Sequence, residues 1–222
     1  MKLTIWKPFD ASLITQPFAG NANPLYHGQG LKGHTGIDYA GEYGTPIPAT
    51  VENAYVYSLL NKDNPNLGKY RGVCTIWDDK ESDTSYEVIY GHCSKIIAKV
   101  GTYTNPGDIV ALVGNTGDVY ANGNAVTIEE RNAGSHAGSH LHFQVRALVR
   151  VKTTSTDKQY LYDGNGLLNR NGSYYEVVDY TNGYNGCVDP STFFNLYNAN
   201  QYTKVVSILM QLIELLTRYT GK

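Results

Sequence analysis

The chain has 222 residues, 41% of them hydrophobic and 12% aromatic, which supports one domain with a sizeable buried core and excludes an intrinsically disordered chain. Its charge is nearly balanced, 18 Lys plus Arg against 20 Asp plus Glu, and no basic run with interleaved aromatics is present, so nucleic acid is not an expected partner. No apolar stretch is long and uninterrupted enough for a transmembrane helix.

The opening stretch MKLTIWKPFDASLITQPF lacks the apolar segment of about 7 to 15 residues and the small-residue cleavage site of a secretory signal, so no export signal is visible. From Leu31 to Val145, runs such as GIDYA, GVCTIWDD, YEVIYGH, GDIVALVG and HLHFQVRAL are separated by Gly, Pro, Asn and Asp. Val, Ile and Tyr at strand positions, with turn residues at short intervals, predict an all-β sandwich or barrel. Residues 118–139 are polar, contain Gly and Asn, and read as a surface insertion between two strands. Residues 148–187 contain YLYDGNGLLNRNGSYYEVV, where D-G and N-G pairs punctuate Tyr- and Val-rich runs, which predicts a β-hairpin excursion. Cys74, Cys93 and Cys187 have no C-x-x-C spacing and read as small buried thiols.

The expected organisation is a domain over 1–200, with insertions at 118–139 and 148–187, followed by an amphipathic helix at 201–222. In that helix Val205, Ile208, Leu212 and Leu215 follow 3-4-3 spacing, repeated one residue later by Val206, Leu209, Ile213 and Leu216, which gives a broad apolar face. The face serves packing onto the domain, self-association through 203–218, or contact with a membrane surface.

Three histidine contexts carry chemistry. In GSHLHFQV the strand period of two puts His140 and His142 on one face and Leu141 and Phe143 on the other, toward the core. In GHTGIDYA, Gly33 and Gly36 loosen the backbone around His34 and Asp38 so that both side chains turn inward at a strand entrance. A catalytic zinc site needs three protein ligands and an open fourth position, and His34, Asp38 and one member of the H-x-H pair supply such a set. The third context is His92, in YEVIYGHCSKI.

In their order and surroundings these fragments resemble the lysostaphin-like, LytM-type zinc endopeptidases that cut peptidoglycan cross-links. The resemblance is carried by ITQPFAGN, GHTGIDYA, GTPIPAT, YGHCSKI, GTYTNPGDIVALVGNTG and SHLHFQV, with VDPSTFF as a closing stretch. It implies the duplicated-hybrid-motif β-sandwich of that family, Zn2+ held by His34, Asp38 and His142, and a catalytic pair, His92 and His140. It also implies peptidoglycan peptides as the partner and action at the cell wall, outside the cytoplasm. With no export signal visible, a phage-type lysin or another export route is expected.

Zinc on two imidazoles and one carboxylate lowers the pKa of its water toward about 7, and a nearby histidine with a pKa of about 6.5 can move the proton to the leaving amine. Two departures stand out: the 118–139 loop replaces a short glycine-containing link, and the 148–187 excursion exceeds the minimal family domain and is expected to line the substrate groove. His27 and His136 read as exposed loop histidines, while Tyr26 resembles a tyrosine the family places near the metal and is a candidate for oxyanion contact. The alternative reading is a catalytically inactive peptidoglycan-binding or hydrolase-regulating module, against which stands the presence of all five site residues.

Overall fold

The computed structural model describes residues 3–20, 25–64 and 68–198. The amphipathic helix expected at 201–222, with its self-association face, lies outside the described residues.

Seven strands position and support the site: β1 (Ile37–Ala40), β2 (Ala54–Asn64), β3 (Gly68–Asp78), β4 (Thr84–Gly91), β5 (Ile109–Leu112), β6 (His140–Val151) and β7 (Ser173–Val177). The large sheet runs β7-β6-β4-β3-β2. Its spine is β6, which holds β4 antiparallel along one edge and takes β1, Cys187–Val188 and β7 in turn along the other. The expected all-β architecture is thus observed.

Alternation along β6 decides which face is buried. Leu141, Phe143 and Val145 have no solvent exposure, and they share one cluster with Ile37, Tyr39, Val88 and Tyr90. That cluster also takes in Ile47, Val110 and Ala111 from a second sheet made of Pro46–Pro48, β5 and Lys95–Ile96. A large apolar side chain fully withdrawn from water contributes about 1.5–3 kcal/mol. The opposite face of β6 carries His140, His142, Gln144 and Arg146.

The 148–187 segment is more than one excursion. Tyr162–Asp163 and Gly166–Leu167 form one hairpin; Asn169–Arg170 and β7 form a second, and β7 then extends the large sheet by pairing with β6. The turn of the second hairpin is Asn171-Gly172, with φ of 53° and 70°, the two left-handed residues that a type I′ turn requires. Leu161 and Leu168 pack with Ile76, Ile89 and Leu148, so this segment covers the far half of the face that bears the histidines.

The 118–139 insertion contains a small hairpin, Tyr120–Ala121 with Asn124–Ala125, and a short helix, Ile128–Asn132. A reciprocal capping box between Thr127 and Glu130 starts that helix. The insertion is tied down by Asn115, whose side-chain amide donates to the carbonyls of Ser135 and Ala137, each at 3.0 Å. Arg131 donates to Gly117 O at 2.8 Å and Val126 O at 2.9 Å. All three cysteines are free and buried, as expected.

Phe143→Ala should cost about 3–5 kcal/mol of stability in a denaturant titration, because the cavity opens in the cluster joining the two sheets. Tyr162→Ala, at a residue 60% exposed, should change stability by less than about 0.5 kcal/mol.

Candidate metal centre

Strand register builds the site. His142 lies directly opposite Asp38 in the β6/β1 ladder, and His140 opposite Ala40, so both histidines share the face of the carboxylate. On the other face, Phe143 and Leu141 lie opposite Ile37 and Tyr39. His34 enters from the loop before β1, where its N–H donates to Gly20 O at 2.9 Å and its carbonyl accepts from Ala19 N at 2.8 Å.

Three atoms meet on this face. His34 Nε2 is 3.1 Å from Asp38 Oδ1, His142 Nδ1 is 2.9 Å from the same oxygen, and the two nitrogens are 3.0 Å apart. The side chains expose only 4% (His34), 14% (Asp38) and 12% (His142) of their surface, so water cannot relieve the contacts. No placement of protons satisfies all three edges: one inner hydrogen leaves a lone pair against a lone pair, and two leave N–H against N–H. A central cation would meet all three atoms. Ligands about 2.0–2.1 Å from a tetrahedral zinc lie about 3.3 Å from each other, close to the observed triangle.

The outer nitrogens are also fixed. His34 Nδ1 is 3.2 Å from Pro17 O, and His142 Nε2 is 3.2 Å from Gln144 Oε1. Each outer nitrogen faces an acceptor and, in the neutral ring, carries the hydrogen, which leaves the other nitrogen of each ring facing inward with a free lone pair. Burial disfavours the charge on Asp38, but His142 and His34, whose inward nitrogens donate to it whenever the rings are protonated, outweigh burial and hold the carboxyl well below the usual range. Burial likewise opposes a charged His142, yet Asp38 raises the ring above its ordinary pKa.

His140 and His92 flank the triangle. His140 Nδ1 donates to Gly138 O at 2.8 Å, and its Nε2 is 3.7 Å from Asp38 Oδ1. His92 Nδ1 donates to Thr116 O at 2.6 Å, and its ring centre lies 4.5 Å from that of His140 and 5.8 Å from that of His142. Burial pushes both rings below the ordinary imidazole pKa, and for His92 the neighbouring histidines push it further. Both are therefore neutral bases at neutral pH, with Nε2 as the acceptor. His92 follows β4 with a φ of 59°, a left-handed conformation that costs a non-glycine residue about 1–3 kcal/mol. Its ring rests edge-on against Tyr70, with centres 5.2 Å apart.

All five residues line one open cleft of about 440 Å³, together with Gln16, Tyr26, Asp118 and Tyr120. The 118–139 insertion forms one wall. The 148–187 segment contributes no lining residue to this cleft, contrary to the expectation that it lines the groove, because it folds over the far half of the sheet face. The Tyr26 ring centre is 5.8 Å from that of His34, and burial, with the charge of Asp38, pushes its phenol up to about 12. His27 is exposed, and His136 stacks on Tyr43 at 3.9 Å; neither joins the cluster.

Residues 32–158, more than half of the chain, match the family model of peptidase family M23. The chain belongs to this family. The matched M23 stretch contains His34, Asp38, His92, His140 and His142. Among curated proteins, the chain is 26% identical over 140 residues to the DD-carboxypeptidase/endopeptidase Mpg of Neisseria meningitidis serogroup B; the match covers 63% of this chain and 26% of that relative. The chain thus spans about a quarter of that relative's length. Among solved structures, LytU is 31% identical, with 63% of this chain and 76% of that chain covered and a TM-score of 0.41. The catalytic domain of the prophage-encoded M23 protein EnpA from Enterococcus faecalis, in a mutant form, is 29% identical, with 64% and 86% covered and a TM-score of 0.39.

The M23 site includes groups that sequence reasoning missed. The carbonyls of Pro17 and Thr116 leave no side-chain signal, whereas Gln144 was readable as the next residue on the histidine face. Gly36 has another role than the expected loosening, since its φ is not left-handed: an added Cβ would lie 2.5 Å from Phe143 O and 2.9 Å from His142 Cε1. Gly36 supplies space for the His142 ring. Gly36→Ala should lower stability by about 1–3 kcal/mol through overpacking, read by denaturant titration, and should weaken zinc binding in a chelator competition.

Proposed function

We propose that this M23 chain is a zinc-dependent endopeptidase that hydrolyses peptide cross-links of bacterial peptidoglycan and works at the cell wall. The observation that carries the reading is the triangle of His34 Nε2, Asp38 Oδ1 and His142 Nδ1, with edges of 2.9 to 3.1 Å that hydrogen bonding cannot satisfy. Two imidazoles and one carboxylate form a borderline-soft set suited to zinc. Family membership and the cleft beside the triangle support a peptide substrate.

Bound zinc supplies a water of lowered pKa and a Lewis acid for a peptide carbonyl. The chain's own residues do the rest. His140, neutral and with Nε2 beside the ligand carboxylate, accepts a proton and passes it to the leaving amine. His92, its Nε2 likewise free of hydrogen and its ring beside that of His140, accepts a hydrogen bond from the attacking water and orients it. Tyr26, protonated at neutral pH, donates a hydrogen bond toward the carbonyl oxygen. The orienting carbonyls of Gly138 and Thr116 keep both rings in one tautomer throughout. The domain spans 1–200 in this reading.

His142→Ala should lose both metal, by elemental analysis, and release of peptides from purified peptidoglycan, by mass spectrometry. His140→Ala should keep the metal and release fragments about 10²–10⁴-fold more slowly. Wild-type rates from His140→Ala would overturn its assignment. Failure of the zinc-loaded protein to release fragments from walls of every cross-link type would overturn the enzyme and favour a binding module.

A further inference from the structure

We propose that Gln144, held by Thr35, is the positioning residue that makes His142 a ligand through Nδ1. The inference rests on the metal reading above. A histidine ligates through one nitrogen only when the other keeps its hydrogen, and the partner of that second nitrogen decides which is which. In a strand the partner on the same face comes from position i+2. For His142 that residue is Gln144, whose Oε1 lies 3.2 Å from Nε2.

An amide side chain can present either oxygen or nitrogen, so it fixes a tautomer only if its own orientation is fixed. Thr35 supports the oxygen-inward orientation, because its hydroxyl donates to the same Oε1 at 3.3 Å. Two donors on one oxygen turn the carbonyl end toward His142. The stretch His34-Thr35-Gly36-Ile37-Asp38 therefore carries more than two ligands: Thr35 orients the amide and Gly36 leaves room for the ring that the amide holds. Gln144 is absent from the lining of the metal cleft and faces a separate cavity of about 360 Å³ with Tyr70, Arg146 and Tyr160. Its influence on the site runs through His142.

The test is the zinc dissociation constant of the full chain, measured by competition with a chromogenic chelator, beside the thermal midpoint of the metal-free protein. Gln144→Leu should weaken zinc about 10–100-fold and alter the visible bands of the cobalt-substituted protein, with the metal-free midpoint unmoved. Gln144→Glu, which still accepts from Nε2, should restore affinity to within about threefold of wild type. Thr35→Val should weaken zinc by a smaller factor, and the double variant Thr35→Val/Gln144→Leu should be no weaker than Gln144→Leu alone, because both act through one contact. Should Gln144→Leu fail to fold, the Thr35→Val and Gln144→Glu pair carries the comparison, and wild-type affinity in Thr35→Val would then overturn the inference. Wild-type zinc binding with Gln144→Leu within twofold of it overturns this inference alone. Absence of zinc binding by the wild-type chain overturns the metal reading and this inference together.

Discussion

The antiparallel register between Ile37–Ala40 and His140–Val151 is the constraint on which the site depends. It sets Asp38 opposite His142, and alternation then sends both side chains to one face and the Ile37, Tyr39, Leu141 and Phe143 set to the other. A slip of one residue would move Phe143 into the cleft and His142 into the core. Core packing therefore enforces the geometry of the polar face, since the register that buries the apolar set is the one that aligns His142 with Asp38.

The polar face is held at a cost that the core offsets. Asp38 keeps its charge largely out of water, His92 sits in a left-handed conformation, and four imidazoles crowd within a few ångströms of one another. Each ring meets this with one outward hydrogen bond: Pro17 O for His34, Thr116 O for His92, Gly138 O for His140 and Gln144 Oε1 for His142. Three of these acceptors are backbone carbonyls. Such acceptors cannot rotate away, so the inward nitrogens are ordered before any substrate arrives, which is the preorganisation a hydrolytic site requires.

Much of this was legible in the sequence, and the illegible part has a physical reason. His140, His142, Leu141 and Phe143 follow from a period of two, and the free cysteines from their spacing. The candidate ligand set needed long-range pairing: His34 and His142 are 108 positions apart, and only the resemblance to a family joined them. Asn171-Gly172 was readable as a hairpin turn, yet turn chemistry does not say that the strand after it joins the large sheet at Leu148–Val151. The polar look of 118–139 concealed the Asn122-Gly123 turn and the Thr127/Glu130 capping box, both local signals inside a segment read as a loop. Gly36 shows the limit most sharply, because its role depends on an imidazole supplied by a strand about a hundred residues later.

The central claim is that the register-built triangle holds a metal. Anomalous diffraction across the zinc edge, on crystals of protein loaded with zinc, tests it most directly. The account predicts one peak about 2.0–2.2 Å from each of His34 Nε2, Asp38 Oδ1 and His142 Nδ1. A peak coordinated instead by His27 or His136, or no peak at this triangle in fully loaded protein, would contradict it.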